Sequence, residues 1–422
     1  MLFLYRLIIN TLYPFIFVTI YIRMLIGKED INRFKEKIYP SFFNAKKSIN
    51  KKLIWFHAAS IGEFLSIVSL LKKIDKKKKR INFLITTSSK SSGELFEKEL
   101  KKYSNVSHRY MPIDHPILVN KFLNNWSPKL VILVDSEIWP NFVTEINKRK
   151  ITLVLINGRI TKKTFVRWKF FSQFSKKIFG CFDLCLAASN DSKKNLLNLK
   201  ADNVKFLGNL KFSNKIKELK LDKKNKFRIH NRNLWCAAST HFGEDNIILK
   251  THIILQKTNK NILTIIVPRH INRVKEISLM AKSKNLKTQI LNESHTINKN
   301  VDVVIVNSYG VLLKIFSYCK LIFMGKSLLE EKKLVGGQNP IEAAKLGCKI
   351  YHGPYIYNFQ EIYRLLKSKS ISFEVKNEKD LARKLNSDFK IKKRINTKTV
   401  NEINKYGEKI LNNTFISLDK FL

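Results

Sequence analysis

Short apolar runs alternate along this chain with polar turns and amphipathic stretches. Leu53–His57 reads as a buried strand, Ala58–Gly62 as its loop, and Glu63 to about Lys73 as a helix that packs through Leu65, Val68, Leu70 and Leu71. Ile81–Thr86 is the next strand and Ser88–Gly93 a polar helix start, and Leu130–Val134 and Ile151–Ile156 repeat the pattern. A second series restarts at Leu234–Ala237 and continues through Leu263–Val267, Val303–Val306 and Leu321–Met324. Strands alternating with helices predict parallel sheets covered on both faces, with binding residues at the strand C-terminal ends. The expected fold class is therefore α/β, two Rossmann-like domains facing a cleft. Expected boundaries are an apolar anchor over 1–27, a first domain over 28–213, a basic linker over 214–232, a second domain over 233–400, and a helical segment over 401–422 that packs back on the first domain.

The first residues follow neither pattern. Leu7–Ile22 is sixteen residues without a charge, flanked by Arg6 and Arg23 and interrupted by Pro14, where a kink is expected. It is short of the roughly 20 residues that span a bilayer core, so spanning and interfacial attachment both remain open. Lys28, Arg33, Lys35 and Lys37 follow as a basic flank, which by the positive-inside tendency keeps the body on the cytoplasmic face of an inner membrane.

Composition adds a net charge of +46, from 79 Lys and Arg against 33 Asp and Glu. Such a surface attracts anionic lipid and phosphorylated ligands. No recognition module or aromatic platform accompanies the lysines, so nucleic acid is not an expected partner. The 5 cysteines form no CxxC pair, and the 9 histidines show no zinc spacing, so no metal and no cofactor are expected.

Chemistry concentrates at the strand exits. His57-Ala-Ala-Ser-Ile-Gly62-Glu63 is a strand-to-helix turn in which Gly62 permits a special backbone angle or close ligand approach and Glu63 enters the first helical turn, either as a cap or as a general base. Asp135-Ser-Glu137-Ile-Trp139-Pro140-Asn141 presents Glu137 on a rigid turn, with Asp135 as its cap, and Asn157-Gly-Arg159 ends the following strand in the same manner. Gly208-Asn209-Leu-Lys211-Phe212 offers Lys211 as a clamp for an acidic group or leaving phosphate. In the second half Pro268-Arg269-His270 leaves a strand. Gly336-Gly-Gln-Asn339-Pro340-Ile341-Glu342 reads as a helix start with Asn339 at the N-cap, Pro340 at N1 and Glu342 at N3, a ready anion site.

Taken in order from Trp55 through Phe359, the motifs HAASIGE, YMPIDHP, SEIWPN, NGRIT, GNLKF, AASTHFGE, PRH and GGQNPIEAA resemble the 3-deoxy-D-manno-octulosonic acid (Kdo) transferase family of lipid A biosynthesis. The resemblance implies a GT-B architecture and transfer of Kdo from CMP-Kdo to a lipid A precursor with inversion, without a catalytic metal. The first domain would then bind the acceptor and the second the CMP-sugar. It implies Glu63 as base, Glu137 and Lys211 as transition-state stabilisers, and CMP contacts from Pro268, Arg269, the turn Tyr309-Gly310-Val311, and Asn339, Pro340, Ile341 and Glu342. One departure stands out. Where the family has Asp-Thr-x-Gly-Glu-Leu, this chain reads Asn307-Ser308-Tyr309-Gly310-Val311-Leu312, which lacks both carboxylates and leaves Ser308 as a cap. Another GT-B nucleotide-sugar enzyme, or a degenerate membrane-associated scaffold, is the alternative.

Overall fold

A computed structural model describes all residues except 44–50, 79, 217–228, 230, 293–295, 334 and 392–396. Most of the basic stretch expected as a linker therefore lies outside the described residues. The chain divides into two compact units, Met1–Asn214 with Tyr406–Leu422, and Lys215–Lys405.

In the first unit, α1 (Leu2–Leu25) precedes β1 (Lys52–His57), α2 (Ile61–Lys77), β2 (Ile81–Thr87), α3 (Lys90–Glu99), β3 (Val106–Tyr110), α4 (Pro116–Trp126), β4 (Leu130–Val134), α5 (Pro140–Lys148), β5 (Thr152–Gly158), α6 (Lys162–Phe170), α7 (Ser172–Phe179), β6 (Leu184–Ala187), α8 (Asn190–Asn198) and β7 (Val204–Phe206). The strands form one sheet in the order β3-β2-β1-β4-β5-β6-β7, and every pairing is parallel. Strand order reverses between β1 and β4, which opens a crevice at their C-terminal ends, the usual ligand position in such sheets. Trp55, Phe122 and Phe142 pack with ring centroids 5.1–6.0 Å apart, Phe142 edge-on to the other two, locking α4 and α5 onto the sheet. All three are fully buried, each contributing about 1.5–3 kcal/mol of apolar transfer.

The second unit holds β8 (Asn233–Thr240), α9 (Glu244–Thr258), β9 (Ile262–Pro268), α10 (Val274–Lys282), β10 (Thr288–Leu291), β11 (Val303–Val306), α11 (Leu312–Tyr318), β12 (Leu321–Met324), α12 (Ile341–Lys345), β13 (Lys349–His352), α13 (Gln360–Ser368), β14 (Ser372–Glu374) and α14 (Glu378–Ile391). Its parallel sheet runs β10-β11-β9-β8-β12-β13-β14, with the reversal between β8 and β12. The last helix, α15 (Thr397–Asp419), leaves this unit and from Tyr406 belongs to the first. Gly407 lies so close to the backbone of Phe212 that an added Cβ would stand 2.0 Å from its carbonyl oxygen.

Helix α1 is continuous with Pro14 inside it. Several expectations need correction. Helix α2 starts at Ile61, so Gly62 is helical and adopts no special angle; the nearest neighbour a Cβ there would meet is Lys211 Cε at 3.9 Å. The helix also runs past the expected end near Lys73 to Lys77, so Lys76 and Lys77 form its last turn, a favourable place for cations. Of the basic flank, Lys37 is buried with Nζ 2.5 Å from Glu29 Oε2, and Arg33 pairs with Glu36 at 2.9 Å, which leaves Lys28 and Lys35 exposed.

Candidate active site

The exits of β1 and β4 are adjacent at the reversal of the first sheet, so the two acidic motifs meet there. Glu63 stands at N3 of α2, with Ser60 as N-cap. Its Oε1 accepts from Ser60 Oγ at 2.8 Å and its Oε2 from the Ala59 N–H at 2.8 Å. Glu63 thus caps its helix, one of the two roles expected of it. Burial pushes its carboxyl above the ordinary value, the charges of Asp135 and Glu137 add to that, and the Ser60 and Ala59 hydrogen bonds oppose it.

Asp135 proves to be more than a turn cap. It is buried and left-handed, with φ 63°. It is held on β5 by its own N–H to the Ile156 carbonyl at 3.1 Å and by the Arg159 N–H to its carbonyl at 3.0 Å. Its carboxylate lies 3.5 Å from Lys211 Nζ. Lys211 is brought there because Asn157, also left-handed at φ 52°, accepts the Leu210 N–H at 2.8 Å through Oδ1. Asn209 in turn caps the short 3-10 turn Leu210–Ser213. Of the residues singled out in the sequence, Lys211 pairs with Asp135, the charge of Asp135 acts on Glu63, and Glu137 follows Asp135 by two positions in the same loop.

Glu137 is steered from two sides. Trp139 Nε1 donates to its Oε2 at 3.1 Å, and the fully buried His57 places Nε2 3.7 Å from the same oxygen. Trp55 Nε1 donates to Thr86 Oγ1 at 2.8 Å, and Thr86 Oγ1 lies 2.9 Å from His57 Nδ1. The Thr86 carbonyl lies 3.2 Å from the same Nδ1, while Nε2 is buried without a hydrogen-bond partner and faces Glu137. His57 was visible as the first residue of its motif, but only its burial and direction give it a task.

In the second unit the crevice-lining loops follow β8 and β12. Glu244, fully buried, accepts from the N–H groups of His241, Lys326, Ser327 and Leu328 at 2.6–3.1 Å and so ties both loops together. Gly325 has to be glycine, since a Cβ would lie 2.5 Å from the Ser239 carbonyl. The edge is cationic. Burial and the neighbouring charges of Lys326, His270, Lys332 and Arg269 lower the His241 imidazole to about 4. Gln338 Nε2 sits 3.2 Å from His241 Nε2, and the His270 ring meets that of His241 edge-on at 5.8 Å.

The donor-side residues fall differently about this edge. Arg269 is exposed at the end of β9, its N–H bonded to the Thr240 carbonyl at 3.0 Å. Pro268, Pro340 and Ile341 are buried and offer packing rather than side-chain contacts. Tyr309 is 63% exposed, and Gly310 takes φ 78° with open space where a side chain would be. Ser308 does not cap α11; its N-cap is Val311, without a side-chain hydrogen bond. The helix start at 339–342 is also shifted. Pro340 is the N-cap of the 5-residue α12 and Glu342 stands at N2. Asn339 Oδ1 still accepts the Ile341 N–H at 3.2 Å. No group of three or more His, Cys, Asp or Glu suited to a metal occurs among the described residues.

Residues 32–214 match the family model for 3-deoxy-D-manno-octulosonic-acid transferase (kdotransferase). The 3-deoxy-D-manno-octulosonic acid transferase of Rickettsia bellii is 31% identical over 90% of this chain and 88% of its own length. That of Haemophilus influenzae is 29% identical over 78% of this chain and 76% of its own. Among solved structures, a putative UDP-N-acetylglucosamine 2-epimerase from Listeria monocytogenes aligns with TM-score 0.59 over 88% of this chain and 96% of that one. A glycosyltransferase from Rickettsia africae aligns with TM-score 0.56 over 88% and 98%. At 12% and 13% identity these two establish the GT-B-like pair of Rossmann-like domains alone. With the relatives above matched along most of their length, the chain belongs to the 3-deoxy-D-manno-octulosonic acid transferase family.

Proposed function

We propose that this Kdo-transferase-like glycosyltransferase of lipopolysaccharide biosynthesis moves Kdo from CMP-Kdo to a hydroxyl of an acylated, phosphorylated glucosamine disaccharide, the lipid A precursor. The observation that carries the reading is a half-buried Glu63 at the β1 exit, held above its ordinary value beside Asp135 and Glu137. A base needs a carboxylate that still wants a proton at working pH, and a lipid hydroxyl is a poor nucleophile until its proton starts to leave.

In this reading Glu63 takes the acceptor proton while the acceptor oxygen bonds to the anomeric carbon of Kdo. The bond from that carbon to the CMP phosphate oxygen breaks on the opposite face, and its electron pair leaves with CMP. Inversion follows from that single displacement. Lys211, oriented by Asp135, and Glu137, oriented by His57 and Trp139, stabilise the charge that develops. The second unit binds the donor. Arg269 and Lys326, both near His241, meet the phosphate, Gly310 gives the nucleotide room, and the 339–342 segment contacts the sugar. The missing carboxylates at 307–311 shift donor binding onto backbone groups.

The same reading places the protein on the cytoplasmic face of the inner membrane through α1. Phe3, Leu7, Phe15, Val18, Ile22 and Leu25 form an outward apolar stripe on that helix. Its other side bonds to the rest of the first unit at Tyr5 and Arg23, which supports a helix lying along the membrane plane. Purified protein incubated with CMP-Kdo and a tetra-acylated disaccharide bisphosphate tests the reading by lipid mass analysis. Product one or more Kdo units heavier is expected. Intact acceptor, from folded protein that binds both substrates, supports the scaffold instead.

A further inference from the structure

The motif Tyr110-Met-Pro-Ile-Asp114-His-Pro116 has no part in the chemistry above, yet it carries a buried carboxylate. Asp114 Oδ2 accepts the Asn141 N–H at 2.9 Å and Oδ1 the Phe142 N–H at 2.9 Å, and its carbonyl accepts Asn141 Nδ2 at 2.6 Å. These are the opening residues of α5, immediately after the loop that bears Glu137 and Trp139. Pro140 stands at the first position of that helix and Trp139, its N-cap, provides no side-chain cap, so Asp114 does that work from another segment.

Two residues of α1 reach the same pair. Tyr5 OH donates to Asp114 Oδ2 at 2.8 Å, and Arg6 Nε donates to Asn141 Oδ1 at 3.0 Å. Helix α1 continues along the unit, with Tyr13 OH bonded to the Ile38 carbonyl at 3.1 Å and Ile20 buried against Phe34 and Ile38. The loop 135–139 is thus fixed at one end by β5, through Asp135 and the Ile156 carbonyl, and at the other by Asp114. Glu137 lies between those two fixings.

We infer that Asp114 and Asn141, clamped by Tyr5 and Arg6, are positioning residues for Glu137, so that α1 is part of the catalytic support as well as the membrane contact. Seating of α1 on the unit sets the start of α5, and that start sets where Glu137 and Trp139 stand. The inference rests on the transferase reading for its kinetic arm only.

The test uses full-length protein in vesicles, with Tyr5→Phe, Arg6→Gln and the double variant, and 5-fluorotryptophan assigned at Trp139 by Trp139→Phe. Tyr5→Phe keeps the ring and removes one hydroxyl, so it folds where Asp114→Asn risks failure. Expected are a kcat lower by about 5-fold in each single variant and more in the double, an unchanged KM for CMP-Kdo, and a shifted Trp139 resonance. Arg6→Lys, which keeps a donor, restores part of the rate. Parent kcat together with an unmoved Trp139 resonance in the folded double variant would overturn the inference. So would equal losses in kcat and donor affinity, which mark a general folding defect. A parent protein that transfers no Kdo removes the proposed function, and the resonance shift then decides the coupling by itself: a moved Trp139 signal supports it and an unmoved one refutes it.

Discussion

The two crevice edges share a topology and differ in charge. Each lies where the strand order of a parallel sheet reverses, between β1 and β4 in one unit and between β8 and β12 in the other. In the first, Lys211 pairs with Asp135, and burial, with the nearby charges of Asp135 and Glu137, raises the Glu63 carboxyl above its ordinary value. In the second, the buried Glu244 is occupied with backbone N–H groups, and burial together with the nearby Lys326, His270, Lys332 and Arg269 lowers the His241 imidazole. The two edges thus share a backbone topology and differ in the side chains it carries, acidic on one and basic on the other.

Exchanging the roles should be possible to detect, beginning with the largest effect. Glu63→Gln keeps the size of the side chain and an acceptor for Ala59, so kcat should fall by about 10²–10⁴-fold with melting temperature and CMP-Kdo affinity little changed. Near-parent turnover at saturating substrates would pass the role of base to Glu137. Arg269→Ala acts on the other edge alone. Losing one charged hydrogen bond worth about 1.5–3 kcal/mol should weaken CMP binding roughly 10–100-fold in calorimetry, while the kcat of saturated enzyme falls less than in Glu63→Gln. Glu342→Ala should weaken donor binding by a smaller factor.

Asp114 gives a prediction in stability. Burial exceeds the pull of its hydrogen bonds and of Arg6 and pushes it up to about 7, above the ordinary carboxyl value. The folded state therefore binds more protons than the unfolded one between about pH 4 and 7, so this group's contribution to stability falls as pH rises through that window and is level above it. Asp114→Asn should lower the melting temperature at pH 5 and flatten the slope between pH 4 and 7; an unchanged slope would assign it to other groups. The smallest effect is at His241. A nucleotide phosphate raises a lowered imidazole value, so CMP binding near pH 5 should take up protons and tighten as pH falls. Calorimetry in buffers of different ionisation enthalpy reads that uptake directly.

What the sequence revealed follows the same physics. Strand exits were legible because buried parallel strands are short apolar runs, and that alone put Glu63, Glu137 and Arg269 at sheet edges. Asp135 was not, because its place depends on a left-handed backbone pinned by β5, a long-range condition with no local mark. Lys37 looked like membrane-flanking charge but is buried against Glu29, a partner eight residues earlier. Arg6 looked like the flank of an apolar anchor, and its bond to Asn141, with that of Tyr5 to Asp114, each to a residue more than a hundred positions away, makes α1 a structural part of the first unit. A simple anchor could be cut away with the fold intact; with Ile20, Phe34 and Ile38 packed together, protein lacking residues 1–26 should instead melt at a lower temperature.

The titration of the Glu63 carboxyl, followed by ¹³C resonance in selectively labelled protein, tests most directly whether this edge is built to accept a proton. In the parent protein Glu63 should titrate above the ordinary glutamate value of about 4.3, and Asp135→Asn, which removes the nearer negative charge, should bring it down. A Glu63 that titrates at or below the ordinary value, or that ignores Asp135→Asn, would contradict its assignment as the base.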